Sequence, residues 1–242
     1  MKRVEAWVPY IEMIMKCLGV VLVSILFGNG AVYVFNHLPA AWLTDYGEEP
    51  SEELRNPYTQ RIKSHPWKVV FTMFFVIIGI WMAVDDLQFA AAAMCSMWIL
   101  IELAIADAKY RIVPDQLLVL LAVTALGYIP YFSGWRHLVY GAVFGLGLIV
   151  LVALIGRILY RHNTVGGGDI KLFAVLGLIA GPVGILEIFV MSTVFSVVHF
   201  LILMAKKKLR RDSTMPMVPY ITAAAILYLA FLWGRAELYL SL

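Results

Sequence analysis

Asp107, in IELAIADAKYRIVPDQLL, and Asp169, in TVGGGDIKLFAVLG, each stand at the end of an apolar run. A charged carboxylate at the centre of a membrane helix costs about 2.5–3.5 kcal/mol on insertion scales, and less at a helix end. Either aspartate alone is therefore equally well explained by solvation at an interface. As a pair they can do chemistry. Two carboxylates brought together cannot both ionise cheaply, so one keeps its proton while the other stays anionic. That asymmetry suits peptide hydrolysis: the anion takes a proton from water, and the acid polarises the scissile carbonyl and then assists the leaving amine. Gly166, Gly167 and Gly168 precede Asp169. Without side chains they let another backbone approach, and an extended substrate could lie along them. The plainer alternative is a loop entering a helix that Asp169 caps.

The elements that must position these residues are membrane helices. The chain is 62% hydrophobic and 14% charged, with a mean hydropathy of +0.85, where a soluble domain carries about 25% charged residues. The expected fold is an all-α polytopic membrane protein, one domain over residues 1–242. Runs of about 20 apolar residues cross the hydrocarbon core. Eight spans are expected, at 11–36, 66–84, 87–106, 115–132, 137–157, 169–180, 183–204 and 216–236, with Gly181-Pro182 as a tight turn between the short sixth and the seventh. The first run is too long for a cleaved signal peptide and lacks its small-residue site. One soluble segment remains, the loop 37–68, too short for a core of its own.

Basic residues give the orientation. Loops 37–68, 107–114, 157–171 and 205–215 share one side and hold 14 of the 19 Lys and Arg. That side is taken as cytoplasmic, so both aspartates face the cytoplasm. Gly47, His162 and Lys207 belong there, and Asp86 and Ser133 outside. The run KKKLRR at residues 206–211 reads as a topological anchor, with no nucleic-acid partner implied.

Other candidates carry less. Cys17 and Cys95 form no metal spacing and read as buried small apolar residues. The five histidines are scattered, without HExxH. Asp115 follows Pro114 in a first helical turn, where an anion suits the helix dipole. Lys171 could bias the proton of the aspartate pair or anchor a lipid phosphate. Glu102 and Glu187 lie within spans but belong to no motif.

Four segments in order resemble the prepilin peptidases, or type IV leader peptidases, which are GxGD-type intramembrane aspartyl proteases. They are FGNGAVYVFNHLP (27–39), DAKYRIVPDQL (107–117), GGGDIKL (166–172) and MPMVPY (215–220). The resemblance implies that Asp107 and Asp169 are the catalytic pair and that Gly166, Gly167, Gly168 and Lys171 belong to the active-site loop. It implies cleavage of the leader of prepilin or pseudopilin precursors of a type IV pilus or type II secretion system, at the cytoplasmic face of the inner membrane, after a glycine. It also implies a second activity, methylation of the new N-terminus by S-adenosylmethionine, tied to the first loop. Many members carry two CxxC pairs there, which bind zinc; this loop has no cysteine, so no metal is expected. The acidic run Glu48, Glu49, Glu52, Glu53 could attract a basic leader. The competing reading is a proton-coupled transporter with paired intramembrane carboxylates; it calls for acidic residues near mid-span. Presenilin-like and rhomboid-like proteases are disfavoured, since no Pro-Ala-Leu triplet closes the chain and no GxSG occurs.

Overall fold

A computed structural model describes residues 7–45, 47–56, 59–161, 165–207 and 215–235. Its helices are α1 (Val8–His37), α2 (Ser64–Asp85), α3 (Leu87–Tyr110), α4 (Asp115–Thr124, continuing as a 3₁₀ helix through Ala125–Tyr131), α5 (Trp135–Tyr160), α6 (Gly167–Ala205) and α7 (Val218–Leu227, continuing as a π-helix through Tyr228–Leu232). Five of these, α1, α2, α3, α5 and α6, are long and apolar enough to cross a membrane. The segments Asp115–Tyr131 and Val218–Leu232 are shorter and apolar. The protein is a multi-pass membrane protein, and large apolar side chains cover its exposed faces, Leu22, Ile77 and Val143 among them.

Local chemistry sets the helix limits. Asp86 is the one non-helical residue between α2 and α3. Its carboxylate accepts the N–H groups of Gln88 and Phe89 and so caps α3. Pro114 precedes α4, and Pro219 lies in the first turn of α7, where a missing N–H costs nothing.

Contacts at the two ends show how the chain threads. At one end, Val218 at the start of α7 meets Asp107 at the end of α3. At the other, the Tyr131 hydroxyl donates to Asp86, and Trp81 Nε1 donates to the Ala230 carbonyl. The short helices therefore run the full depth of the protein. Helix α6 starts at the Asp107 end, and at Gly181 reaches His137 and Phe132 at the far end. It then returns, placing His199 Nδ1 2.5 Å from the hydroxyl of Tyr220, within the first turn of α7. Gly181, at φ 71 and ψ 180, is the fold point, followed by Pro182. Only glycine adopts that backbone at low cost. Among the described residues, the two legs of α6, the four other long helices and the two shorter segments give eight apolar helical segments where eight spans were expected. The separating turn shrinks to one non-helical residue, because helical hydrogen bonding resumes directly at Pro182.

Packing against α5 fixes the first leg of α6. A Cβ on Gly141 would strike the Gly177 carbonyl, one on Gly177 would strike Gly141, and one on Gly145 would lie 2.5 Å from the Phe173 carbonyl. The two backbones touch, as small residues permit in membrane bundles.

The first loop is narrower than expected, running from Leu38 to Lys63. It holds a 3₁₀ turn, Ala40–Leu43, and a one-turn helix, Glu52–Arg55. Leu43, Leu54 and Ile62 are buried in the membrane domain's own core, so the loop folds by packing on its helices. The cysteines are free and differ from expectation only in burial, Cys17 being half-buried and Cys95 exposed. They face outward, where lipid supplies the apolar surroundings.

Candidate active site

Asp107 and Asp169 line one cavity of about 620 Å³ at the end of the bundle where α3 finishes and α4, α6 and α7 begin. Asp107 sits in the last turn of α3 and is only 7% exposed. Its Oδ2 accepts the backbone N–H of Val218 at 2.9 Å. That donor is one of the orphan groups of a helix N-terminus, which favours negative charge. Arg111 ends α3 in the left-handed conformation, φ 59, and lines the same cavity.

Asp169 is the third residue of α6. The cap is Gly166, not Asp169, whose carboxylate instead reaches back to the Gly166 N–H. This is the acidic half of a capping box. The helix starts at Gly167, so Gly167 and Gly168 belong to its first turn and not to an extended strip. The three glycines also serve different ends. Gly167 faces open space, a Cβ on Gly166 would come within 3.3 Å of the Asp169 carboxylate, and one on Gly168 would meet the Val113 side chain at 2.7 Å. The close approach at Gly168 is made by this protein's own 111–114 segment.

Lys171 is spoken for. Its Nζ donates to both oxygens of Asp115, at 2.7 and 2.8 Å, joining the first turns of α4 and α6 at the cavity rim. Both side chains are more than half exposed, so the pair contributes about 1 kcal/mol or less. Glu102 lies outside the cavity. It is fully buried in α3, and neither carboxyl oxygen finds a hydrogen-bond partner; one oxygen of Glu187 is also buried without one. Among the described residues no group of three or more His, Cys, Asp or Glu gathers as a metal site.

Part of the cavity wall comes from the first loop, through Ala41, Trp42, Thr44 and Asp45. Sequence reasoning missed this wall, along with Arg111 and the Val218 N–H. A backbone donor has no side-chain signature, although Pro219 marks the helix start that supplies it. The acidic run is partly neutralised: Glu49 pairs with Arg55 of the same loop, and Glu53 with Lys109 at the end of α3.

Residues 94–202, which hold both aspartates and Lys171, match the model of the type IV leader peptidase family. That match covers a little under half of the chain. Similar curated members of the leader peptidase family carry the name prepilin leader peptidase/N-methyltransferase. The one from Bacillus subtilis is 27% identical over 169 residues, covering 69% of this chain and 64% of that protein. The one from Pseudomonas aeruginosa is 26% identical over 151 residues, covering 60% and 50%. This chain thus spans between half and two thirds of the length of those relatives. No solved structure matches it.

Proposed function

We propose that the protein is an aspartyl endopeptidase that cleaves the leader of prepilin-like precursors at the cytoplasmic face of the inner membrane. The observation that carries this reading is the meeting of Asp107 and Asp169 in one cavity at one end of the bundle. The family match over those residues supports it. The scissile segment enters between the aspartates and the loop wall. One carboxylate, as the anion, draws a proton from water, which attacks the carbonyl carbon. The other, protonated, donates to the carbonyl oxygen, and the proton held by the first then passes to the departing amine. The Val218 N–H fixes the orientation of Asp107, and the Gly166 N–H that of Asp169. The Lys171–Asp115 pair keeps α4 and α6 in register at the rim.

The test uses purified protein and a prepilin-like substrate with a short basic leader, a glycine and an apolar helix. Cleavage after the glycine is expected, with loss of at least about a hundredfold in kcat for Asp107→Asn or Asp169→Asn, as for removal of a general acid or base. Near wild-type cleavage by either variant ends this mechanism. The transporter reading is the weaker one, since both aspartates open to one face and neither lies mid-span.

If methylation accompanies cleavage, the loop wall is where its donor would be held. Trp42 offers a flat aromatic face, and Asp45 a carboxylate suited to sugar hydroxyls, which fits S-adenosylmethionine in kind. That donor would supply a methyl group to the new N-terminal amine. Mass spectrometry of the cleaved product decides the matter: a mature N-terminus one methyl group heavier supports it, and an unmodified one restricts the protein to peptide cleavage.

A further inference from the structure

The first loop lacks metal-binding cysteines, yet it presents a defined wall to the cavity. Arg61 is the side chain that holds it. The residue is 9% exposed and forms no ion pair with a carboxylate among the described residues. Its guanidinium donates to three backbone carbonyls: Leu38 at 2.6 Å, Phe35 at 3.2 Å and Leu54 at 3.5 Å. Phe35 and Leu38 close the C-terminus of α1, where carbonyls are orphaned and a cation is favoured. A guanidinium has five donors in a rigid fork, so one side chain can gather carbonyls from separate segments. The residue beside it repeats the attachment. Asn36 Nδ2 donates to the Ile62 carbonyl at 3.0 Å, and the Ile62 N–H donates to Asn36 Oδ1 at 2.8 Å. Lys109, in the last turn of α3 just after Asp107, donates to the Arg61 carbonyl at 2.5 Å.

We propose that Arg61 is a positioning residue for the cleavage reaction: it clamps the end of the first loop to the end of α1 and the loop's start, so that Trp42, Thr44 and Asp45 stand as a fixed wall of the cavity that holds the aspartates. The proposal rests on the reading of that cavity as a peptidase site. The clamp acts directly ahead of the wall, since Leu38 and Pro39 lead into the 3₁₀ turn Ala40–Leu43. Through Lys109 the same network grips the helix end that carries Asp107. Arg61 never touches the scissile bond; it keeps the two sides of the cavity at a constant separation.

Two measurements test this. The first is substrate cleavage by Arg61→Ala. The kcat/KM value is expected to fall by about tenfold or more, the factor set by losing one charge-assisted hydrogen bond. Most of the loss should appear as a raised KM, because the aspartates remain in place. Added guanidinium at millimolar concentration should restore cleavage in this variant, and matched sodium chloride should not. The second measurement needs no activity. Thr44→Cys, on a background lacking Cys17 and Cys95, should react with maleimide several times faster when Arg61 is also Ala. Unchanged labelling would show that Arg61 does not hold the wall. Faster labelling with unchanged kcat/KM would show a wall that cleavage does not use, and would equally overturn the proposal. A wild-type protein that cleaves nothing would reject the peptidase reading, while the labelling arm still reports on the clamp.

Discussion

Gly168 illustrates how a motif residue acquires a different explanation once its neighbours are known. Read along the chain, it is a bare position for an extended substrate, and Gly168→Val should block access with little effect on stability. In the fold, the added side chain collides with Val113. Overpacking of this kind costs about 1–3 kcal/mol, so Gly168→Val should lower the unfolding temperature in detergent as well as cleavage. Gly167→Ala meets open space and should leave that temperature unchanged. Equal unfolding temperatures for the two variants would reject the contact with Val113. Asp115→Asn loosens only an exposed ion pair. It should retain cleavage within about tenfold of wild type, in line with the small contribution of such pairs. Glu102 makes the opposite case. A carboxyl buried without a hydrogen-bond partner costs about 1–3 kcal/mol, so Glu102→Met, close in shape, should raise stability by about 1 kcal/mol or more. A destabilised Glu102→Met protein would mean that the carboxyl makes an interaction absent from its described contacts.

At the level of elements, the hydropathy pattern made the apolar helices legible, including the short leg before Gly181 and the longer one after it. What it could not convey was how elements end. The fourth segment tightens into a 3₁₀ helix, and the last widens into a π-helix. Such changes follow from packing, which leaves no periodic trace. Asp86 shows an element boundary set by one side chain. Its carboxyl is held below the ordinary range first by the Phe89 N–H, then by the Tyr131 hydroxyl, with burial opposing them. A carboxyl lowered in the folded state stabilises above its unfolded value, and that stability is lost as pH falls through the folded value. Thermal unfolding followed from about pH 6 down to about pH 3 should therefore show an acid-side loss in the wild type that is smaller in Asp86→Asn. Asp86→Ala, which also removes the cap, should cost about 1 kcal/mol at neutral pH. Identical pH profiles for wild type and Asp86→Asn would contradict this assignment.

For the whole molecule, the aspartate pair was readable because both residues adjoin apolar runs on the same predicted side. The cavity wall supplied by the first loop was not. Arg61 looks in sequence like any basic residue of a short loop, and only the fold reveals the three carbonyls around it. Orientation can be checked by single-cysteine labelling in intact cells, on a background lacking Cys17 and Cys95. An impermeant reagent should label Ser133→Cys and spare Gly47→Cys and Lys207→Cys, as the clustering of basic residues requires. Asp86 lies at the Ser133 end of the bundle. His162, also expected on the cytoplasmic side, falls outside the described residues. The reverse labelling pattern would put the aspartate cavity on the outer face, away from any cytoplasmic leader.

The fold at Gly181 also bears on how the protein enters the membrane. The first leg of α6, residues 167–180, is about 21 Å long at 1.5 Å per residue, short of the roughly 30 Å hydrocarbon core. Such a segment is a poor stop or start signal for an insertion machinery handling helices one at a time. With no intervening loop, it is delivered together with the leg that follows, and Asp169 reaches its depth only as part of that pair. A nascent chain released just after Gly181 should accordingly leave residues 167–180 on the side where synthesis occurs. Extension beyond Ala205 should carry them in.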